Sequence, residues 1–377
     1  MADQDILNNK TILSFQPFSI FTSGGGPRII RRLIEEIQTN VMFLSLNDSP
    51  NYKNQSNERE ILCTMRPLHR KWMRSFIRNF SFFVRDKLLY NYNEKTIRAE
   101  AAKLNFDILH VIHHHKYANS LTQFALKKNI PIWVSFHDHF RSVGCSENNS
   151  RDLWKFATKR MVISKELGDH YCQLFGYQPF IVVTDGLKEA EISSSKPPLN
   201  TGKINIYFGG VLHYEYYPVL KSFFDALDIL SKQEGVKISF VLRGTQKVNF
   251  MDNCHFDVEL RKATLDNEIL KQEMNEADIL YLPMKYTDEY FYKYSFSTKM
   301  IGYLGASGNI FYHGPKEAAA AKFLEKNNCG VICDSSDTDV IIEKLRVVIR
   351  SNAFSLAAKK VAYEQFLLKN MQQLFMS

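Results

Sequence analysis

Four histidines fall within six positions in HVIHHH, His110 and His113 to His115, and two more follow in FHDH, His137 and His139. Imidazole can ligate a metal, move a proton near neutral pH, or hydrogen-bond a hydroxyl or a phosphate. A regular strand sends His113 and His115 to one face and His114 to the other, so the run cannot close on a single ion. Apart from Asp138, no acid or cysteine stands at ligand spacing with them. The expectation is therefore hydrogen bonding and proton chemistry, with no metal. His137 ends the apolar run IPIWVSF, and His113 to His115 end DILHVI, so both sets should sit at the rim of a sheet.

Two further stretches suit an anion. In FTSGGGPRIIRRL, Gly24, Gly25 and Gly26 lie between a strand and a helix, where backbone without side chains can approach a ligand and leave a helix N-terminus open. The spacing does not fit G-x-G-x-x-G, so no dinucleotide fingerprint is present, and a turn without a ligand is the alternative. In SFSTKMIGYLGASG, Ser297 or Thr298 can cap a helix while Lys299 adds a full positive charge, which together suit a diphosphate. The alternative is an ordinary cap with a surface lysine. Before it, LPMKYTDEYFYKY offers Asp288 and Glu289 at a strand end, to bind sugar hydroxyls or simply to face water.

Short β-branched or aromatic runs alternate with segments of helical spacing along the chain, the rhythm of parallel, doubly wound sheets. TILSFQPF, VMFLSL, DILHVIH, IPIWVSF, RMVIS and FIVVTD make one series. After EISSSKPPLNTGK the series restarts with INIYFGG, ISFVLRG, DILYLP, NIFYHG and GVICD, and two helices close it. At 377 residues two domains are expected. Their bounds read as residues 1–190, a linker at 191–203, a second domain at 204–350, and a final helix at 351–377 that packs back on the first domain. The two doubly wound, Rossmann-like domains should face a central cleft.

Composition fits a folded protein, with 23% charged and 45% apolar residues. No run approaches the roughly 20 apolar residues of a membrane span, and MADQDILNNK lacks the basic start of a signal peptide. Six scattered cysteines, including the pair in CGVIC, read as reduced thiols, so a cytoplasmic location is expected. Residues 1–200 hold 27 Lys and Arg against 19 Asp and Glu, while residues 201–377 hold 21 of each. All of the net charge of +8 thus belongs to the first half. Nucleic-acid binding is not expected, since the basic excess carries no reading motif.

In order, FDILHVIHHHKYANSL, IPIWVSFHDHF, KRMVISKELGDHYCQLFG, NIYFGGVLHYEYYP, ISFVLRG, ADILYLP and FSTKMIGYLGASGNIFYHGP resemble the landmarks of GT-B fold glycosyltransferases, most nearly the retaining family 4 group. The resemblance covers nearly the whole chain. It implies a nucleotide-sugar donor held mainly by the second domain, an acceptor on the first, and no metal cofactor. It matches His137 to a histidine that contacts the donor sugar, the Gly24 to Gly26 loop to one near the diphosphate, and Lys299 to a lysine at a helix start. His113, His114 and His115 would lie on the acceptor side. Carboxylates that the family carries near Tyr294 and near Gly302 or Tyr303 are missing, with Asp288 or Glu289 as substitutes. Basic residues that would follow the strand opening the second domain are replaced around Gly210 and Glu215 or Tyr216, leaving Arg243 to supply charge from the next strand.

The function so implied is retaining transfer of a hexose-like sugar to a glycan or lipid-linked glycan in surface polysaccharide or glycoconjugate synthesis. His137, Asp288 and Glu289 are the candidate catalytic groups. Another GT-B enzyme, such as a sugar-nucleotide epimerase or a glycan phosphorylase, and a non-catalytic sugar-nucleotide binding protein are the alternatives. Finally, residues 66–87, RPLHRKWMRSFIRNFSFFVRDK, space Trp72, Phe76, Phe80 and Phe83 helically among Arg70, Lys71, Arg74, Arg78 and Arg85. Such a helix can lie on an anionic membrane surface, making the protein peripheral on the inner face, or can instead be an ordinary core helix.

Overall fold

A computed structural model describes residues 10–22, 24–35, 40–47, 59–67, 75–197 and 202–377. It divides into two compact units, Met1–Thr184 with Gln372–Ser377, and Asp185–Met371.

Unit 1 alternates strands and helices: β1 (Thr11–Gln16), α1 (Gly25–Ile34), β2 (Asn40–Asn47), β3 (Glu60–Thr64), α2 (Ser75–Phe83, continued by a π-helical turn Val84–Leu88), α3 (Tyr90–Ala102), β4 (Ile108–Ile112), α4 (Thr122–Lys127), β5 (Ile132–Phe136), α5 (Glu147–Phe156), β6 (Lys159–Val162), α6 (Lys165–Phe175) and β7 (Ile181–Val182). The parallel sheet runs β3-β2-β1-β4-β5-β6-β7. Its central strands are buried along their whole length, as strands covered by helices on both faces must be. Ser146 and Ser164 cap α5 and α6 by accepting the amides of Asn149 and Leu167. One polar line crosses this apolar sheet. Gln16 donates to Ser14 Oγ at 2.8 Å, Ser14 meets His110 Nδ1 at 2.8 Å, and His110 Nε2 meets Ser135 Oγ at 2.9 Å. Phe375 closes the same region, edge-on to His110 and Trp133, while its carbonyl accepts from Lys159 at 2.8 Å.

Unit 2 contains β8 (Lys203–Gly209), α7 (Tyr217–Glu234), β9 (Lys237–Arg243), β10 (Asp257–Arg261), α8 (Asn267–Glu276), β11 (Ile279–Pro283), α9 (Glu289–Tyr294), α10 (Thr298–Gly305), β12 (Asn309–His313), α11 (Ala319–Lys326), β13 (Val331–Cys333), α12 (Thr338–Arg350) and α13 (Ala353–Gln365). A last helix, α14 (Leu368–Met376), begins in unit 2 and ends in unit 1. The sheet order is β10-β9-β8-β11-β12-β13, again all parallel. Phe223 of α7 stacks on Tyr281 of β11 at 4.0 Å in the middle of the core.

The short strands β3 and β10 escape the apolar-run reading. DVELR is mostly exposed and charged at a sheet edge, so nothing in its composition announces a strand. The segment after Glu191 looks like a free linker in sequence, yet Ser193 N–H donates to Gly305 O at 2.9 Å and Lys196 pairs with Asp278 at 3.0 Å. The closing helical pattern also divides in two. Leu187 pairs with the chain at the break, donating to Phe366 O at 2.7 Å and accepting from Leu368 N–H at 2.8 Å. Gly186 is required beside it, because a Cβ there would come within 2.5 Å of Leu368 Cα.

Candidate functional site

In each sheet the strand order reverses beside the first strand, β1 between β2 and β4 and β8 between β9 and β11. Loops leaving the carboxyl ends of such neighbours diverge to opposite faces and open a crevice, the usual ligand position in a doubly wound sheet.

In unit 1, Gly24 has φ 136°, a conformation that favours glycine, and α1 starts at once. A Cβ at Gly26 would lie 3.1 Å from Phe18 Cζ and 3.9 Å from His137 Nδ1, so the helix start is pressed against both rings. Phe18 in turn meets His114 edge-on at 5.7 Å. Gly25 and Gly26 carry the free amides of this first turn, since Pro27 has none. The rings of His137 and His114 make no hydrogen bond with any described residue. Burial, and then His114, push His137 down to about 4, so it is neutral at pH 7, with one ring nitrogen to donate and one to accept.

The other histidines are occupied. Ser150 donates its hydroxyl to Ser146 O at 2.8 Å, so His113 Nε2 must donate to Ser150 Oγ, also at 2.8 Å. His115 has φ 69° and Nε2 3.1 Å from Arg85 Nη2; arginine only donates, so this nitrogen accepts. His139 Nε2 lies 3.2 Å from His170 Nε2. The acceptor-side trio therefore separates into a core residue, His113, an open ring, His114, and an arginine partner, His115. Among the described residues, no three His, Cys, Asp or Glu side chains gather as metal ligands would.

In unit 2, Gly210 follows β8 with φ 131° and donates to Arg243 O at 2.8 Å. Lys299 Nζ lies only 2.9 Å from the place a Gly210 Cβ would occupy. This ammonium has no hydrogen bond or ion pair with any described residue, and burial lowers its pKa. Ser297 stands at the N-cap of α10 as its position suggests, but its hydroxyl makes no capping bond, and no acid lies in the first turn. A cation that lies over the Phe208 ring at 5.4 Å and has no counterion among the described residues, an uncapped helix start and a strand-end glycine thus coincide.

Arg243 does not add a free charge here. Its guanidinium grips both oxygens of Glu273, Nε to Oε2 at 2.6 Å, and the Lys262 carbonyl, while Arg261 also reaches Glu273 at 2.7 Å. Asp288 caps α9 by accepting the Phe291 amide at 3.0 Å, and the exposed Glu289 pairs with Lys293. Three residues not anticipated from sequence complete the neighbourhood. Tyr303 accepts the Gly209 amide at 3.2 Å, Thr245 donates to Gly210 O at 3.1 Å, and Lys285 binds Glu215 at 2.8 Å.

No family model matches the chain, and no curated protein does. Solved structures match nearly end to end. HepE from Anabaena in complex with UDP is 12% identical, with TM-score 0.66 over 97% of this chain and 98% of that one. The fold is GT-B. An alpha,alpha-trehalose-phosphate synthase (UDP-forming) from Burkholderia xenovorans, in complex with glucose-6-phosphate, is 11% identical with TM-score 0.62 over 98% and 99% of the two chains. MurG from Acinetobacter baumannii is 13% identical with TM-score 0.58 over 97% and 98%. At such identities the likeness is one of GT-B architecture.

Proposed function

We propose that this GT-B protein transfers a sugar from a nucleotide-sugar donor to a glycan or lipid-linked acceptor, with retention of anomeric configuration. The observation that carries it is Lys299, a half-buried ammonium with no carboxylate partner among the described residues, set at an uncapped helix start beside Gly210. Such a site stabilises a diphosphate leaving group as its charge grows. Neutral His137, open and pressed against the Gly26 turn, is fit to hydrogen-bond a hydroxyl of the transferred sugar. The UDP in the HepE complex and the UDP-forming synthase support a nucleotide donor. The test combines a melting-temperature screen against UDP- and GDP-sugars with product analysis from a labelled donor. A retained glycoside is expected. Epimerised donor, phosphorolysis, or binding without turnover over a panel of acceptors would replace this reading with the corresponding alternative.

The proposal extends to an anionic membrane surface. No helix among the described residues is long and apolar enough to cross a bilayer. On α2 and its π-helical turn, however, Ile77, Phe80, Phe83 and Leu88 are 42%, 60%, 52% and 68% exposed, where a core helix would hide them. Trp72 with Arg70, Lys71 and Arg74 lies outside the described residues, as do the side chains of Phe76 and Arg78. Arg85 is not a surface charge as the pattern suggested. It is buried and bound to Asp86 at 2.7 Å, because the turn directs it inward. Sedimentation at low salt should recover the protein with anionic vesicles and not with neutral ones; equal recovery from both would remove the membrane from the scheme.

A further inference from the structure

A surface lysine is protonated near neutral pH and is a weak nucleophile for that reason. Lys299, the second residue of α10, departs from that state. Its side chain is half-buried, its Nζ lies over the Phe208 ring at 5.4 Å, and no carboxylate among the described residues pairs with it. Removal from water favours the uncharged amine and is the one cause of its lowered pKa. The amine is still reachable. Nζ has no hydrogen-bond partner among the described residues yet is not sealed from solvent, and Gly210 keeps the approach clear, since a Cβ there would sit 2.9 Å away. Val211, next along the chain, is 63% exposed.

The start of α10 adds an anion site to this amine. Ser297 makes no capping bond and no acid stands in the first turn, so the first amides of the helix have no side-chain partner there. A phosphoryl group at that point brings whatever it carries close to Nζ. In an acyl phosphate the carbonyl carbon is separated from phosphorus by one bridging oxygen, so a single small molecule offers an anion to the helix start and an electrophile to the amine. A thioester or an aryl ester supplies the electrophile without the adjoining anion.

We infer that Lys299 is a site of acylation by acyl phosphates, which dock their phosphoryl group beside it. The Nζ lone pair attacks the carbonyl carbon and a C–N bond forms. The bond from that carbon to the bridging oxygen breaks, inorganic phosphate leaves with the electron pair, and the amine proton passes to solvent. The product is a neutral amide where a diphosphate needs a cation, so acylation switches donor binding off. This rests on the proposed reading of the corner as an anion site, and goes beyond it in making the cation itself the point of control.

Peptide mass spectrometry of the full chain after treatment with acetyl phosphate near neutral pH tests it. Lys299 should be acetylated about tenfold or more faster than the exposed Lys322 and Lys326, because the electrophile is held beside it. With p-nitrophenyl acetate, which has no phosphoryl group, that preference should shrink severalfold, and inorganic phosphate or UDP should protect Lys299 from acetyl phosphate. The treated wild-type chain should bind UDP about tenfold more weakly, the loss expected for one charged contact. Lys299→Arg, which keeps a cation and cannot be acylated in this way, should hold its own UDP affinity through the same treatment. The labelling itself needs no variant, so a poorly binding Lys299→Arg leaves the test intact. Labelling of Lys299 no faster than of Lys322 and Lys326, an equal preference with p-nitrophenyl acetate, or no protection by inorganic phosphate would overturn the inference. If Lys299 is labelled as expected and phosphate protects it while no sugar nucleotide binds, the glycosyltransferase reading fails and the modification site stands. If UDP binds and Lys299 is not preferred, the modification fails and the donor site stands.

Discussion

The Lys299 ammonium is half-buried, partly desolvated and without a counterion among the described residues, a state that an arriving anion would relieve. Lys299→Met should therefore weaken UDP about 10- to 100-fold, equivalent to roughly 1.5–3 kcal/mol for one charged contact, while the melting temperature holds or rises. Titration calorimetry beside a thermal melt decides it, and unchanged affinity with a lower melting temperature would make Lys299 a structural residue. His137→Ala carries the complementary expectation. Turnover should fall far more than affinity for the free nucleotide, because the ring is assigned to the sugar. If both fall together and the protein melts early, His137 belongs to the core. At this scale the sequence is only partly legible. The run of three histidines looks uniform on paper, yet Ser150 captures His113, Arg85 captures His115, and His114 is left open. Each capturing residue is about thirty or more positions away. Arg243 is misread for the same reason, since Glu273 belongs to a helix that no local pattern links to it.

The glycine turns that begin and end elements can be tested as such. Gly210 and Gly244 both have positive φ, 131° and 77°, but an added Cβ would meet Lys299 Nζ at 2.9 Å in the first case and nothing nearer than Ala263 at 3.5 Å in the second. Both alanine variants should lose stability by about 1–3 kcal/mol from backbone strain. Only Gly210→Ala should also displace the ammonium and weaken UDP, so chemical denaturation and UDP titration of the pair separate strain from site. Equal loss of UDP affinity in both would deny Gly210 its special place. The elements themselves are the most legible level. Central strands such as IWVSF announce themselves because burial on both faces demands continuous apolar residues. Edge strands do not, as DVELR shows, and neither does the break between α13 and α14, which depends on pairing with Leu187.

Acid should act unevenly on the whole molecule. Burial holds His110 and His113 down to about 3 and His137 to about 4 in unit 1, against His313 at about 4 in unit 2, whereas the unfolded chain protonates histidine near 6.5. The unfolded state therefore binds more protons as pH falls below about 6.5, and stability drops until the folded values are passed, by up to ~1.4 kcal/mol per pH unit for each such group. All three tryptophans, Trp72, Trp133 and Trp154, belong to unit 1, so tryptophan fluorescence follows that unit alone. Its melting temperature should fall between pH 7 and pH 5 by more than the transition seen by circular dichroism for the rest; parallel shifts would mean that the buried rings do not set the acid response. The two-unit α/β architecture was readable from the alternation alone, because it repeats on each side of residue 190 whatever the identity of the loops. One feature of unit 1 has no such local trace. Phe375 packs on His110 and Trp133 from a segment encoded after all of unit 2. On the ribosome, then, the half that emerges first lacks a piece of its own interior until the second half has been translated, and the contiguous unit 2 has the opportunity to fold before its predecessor is finished.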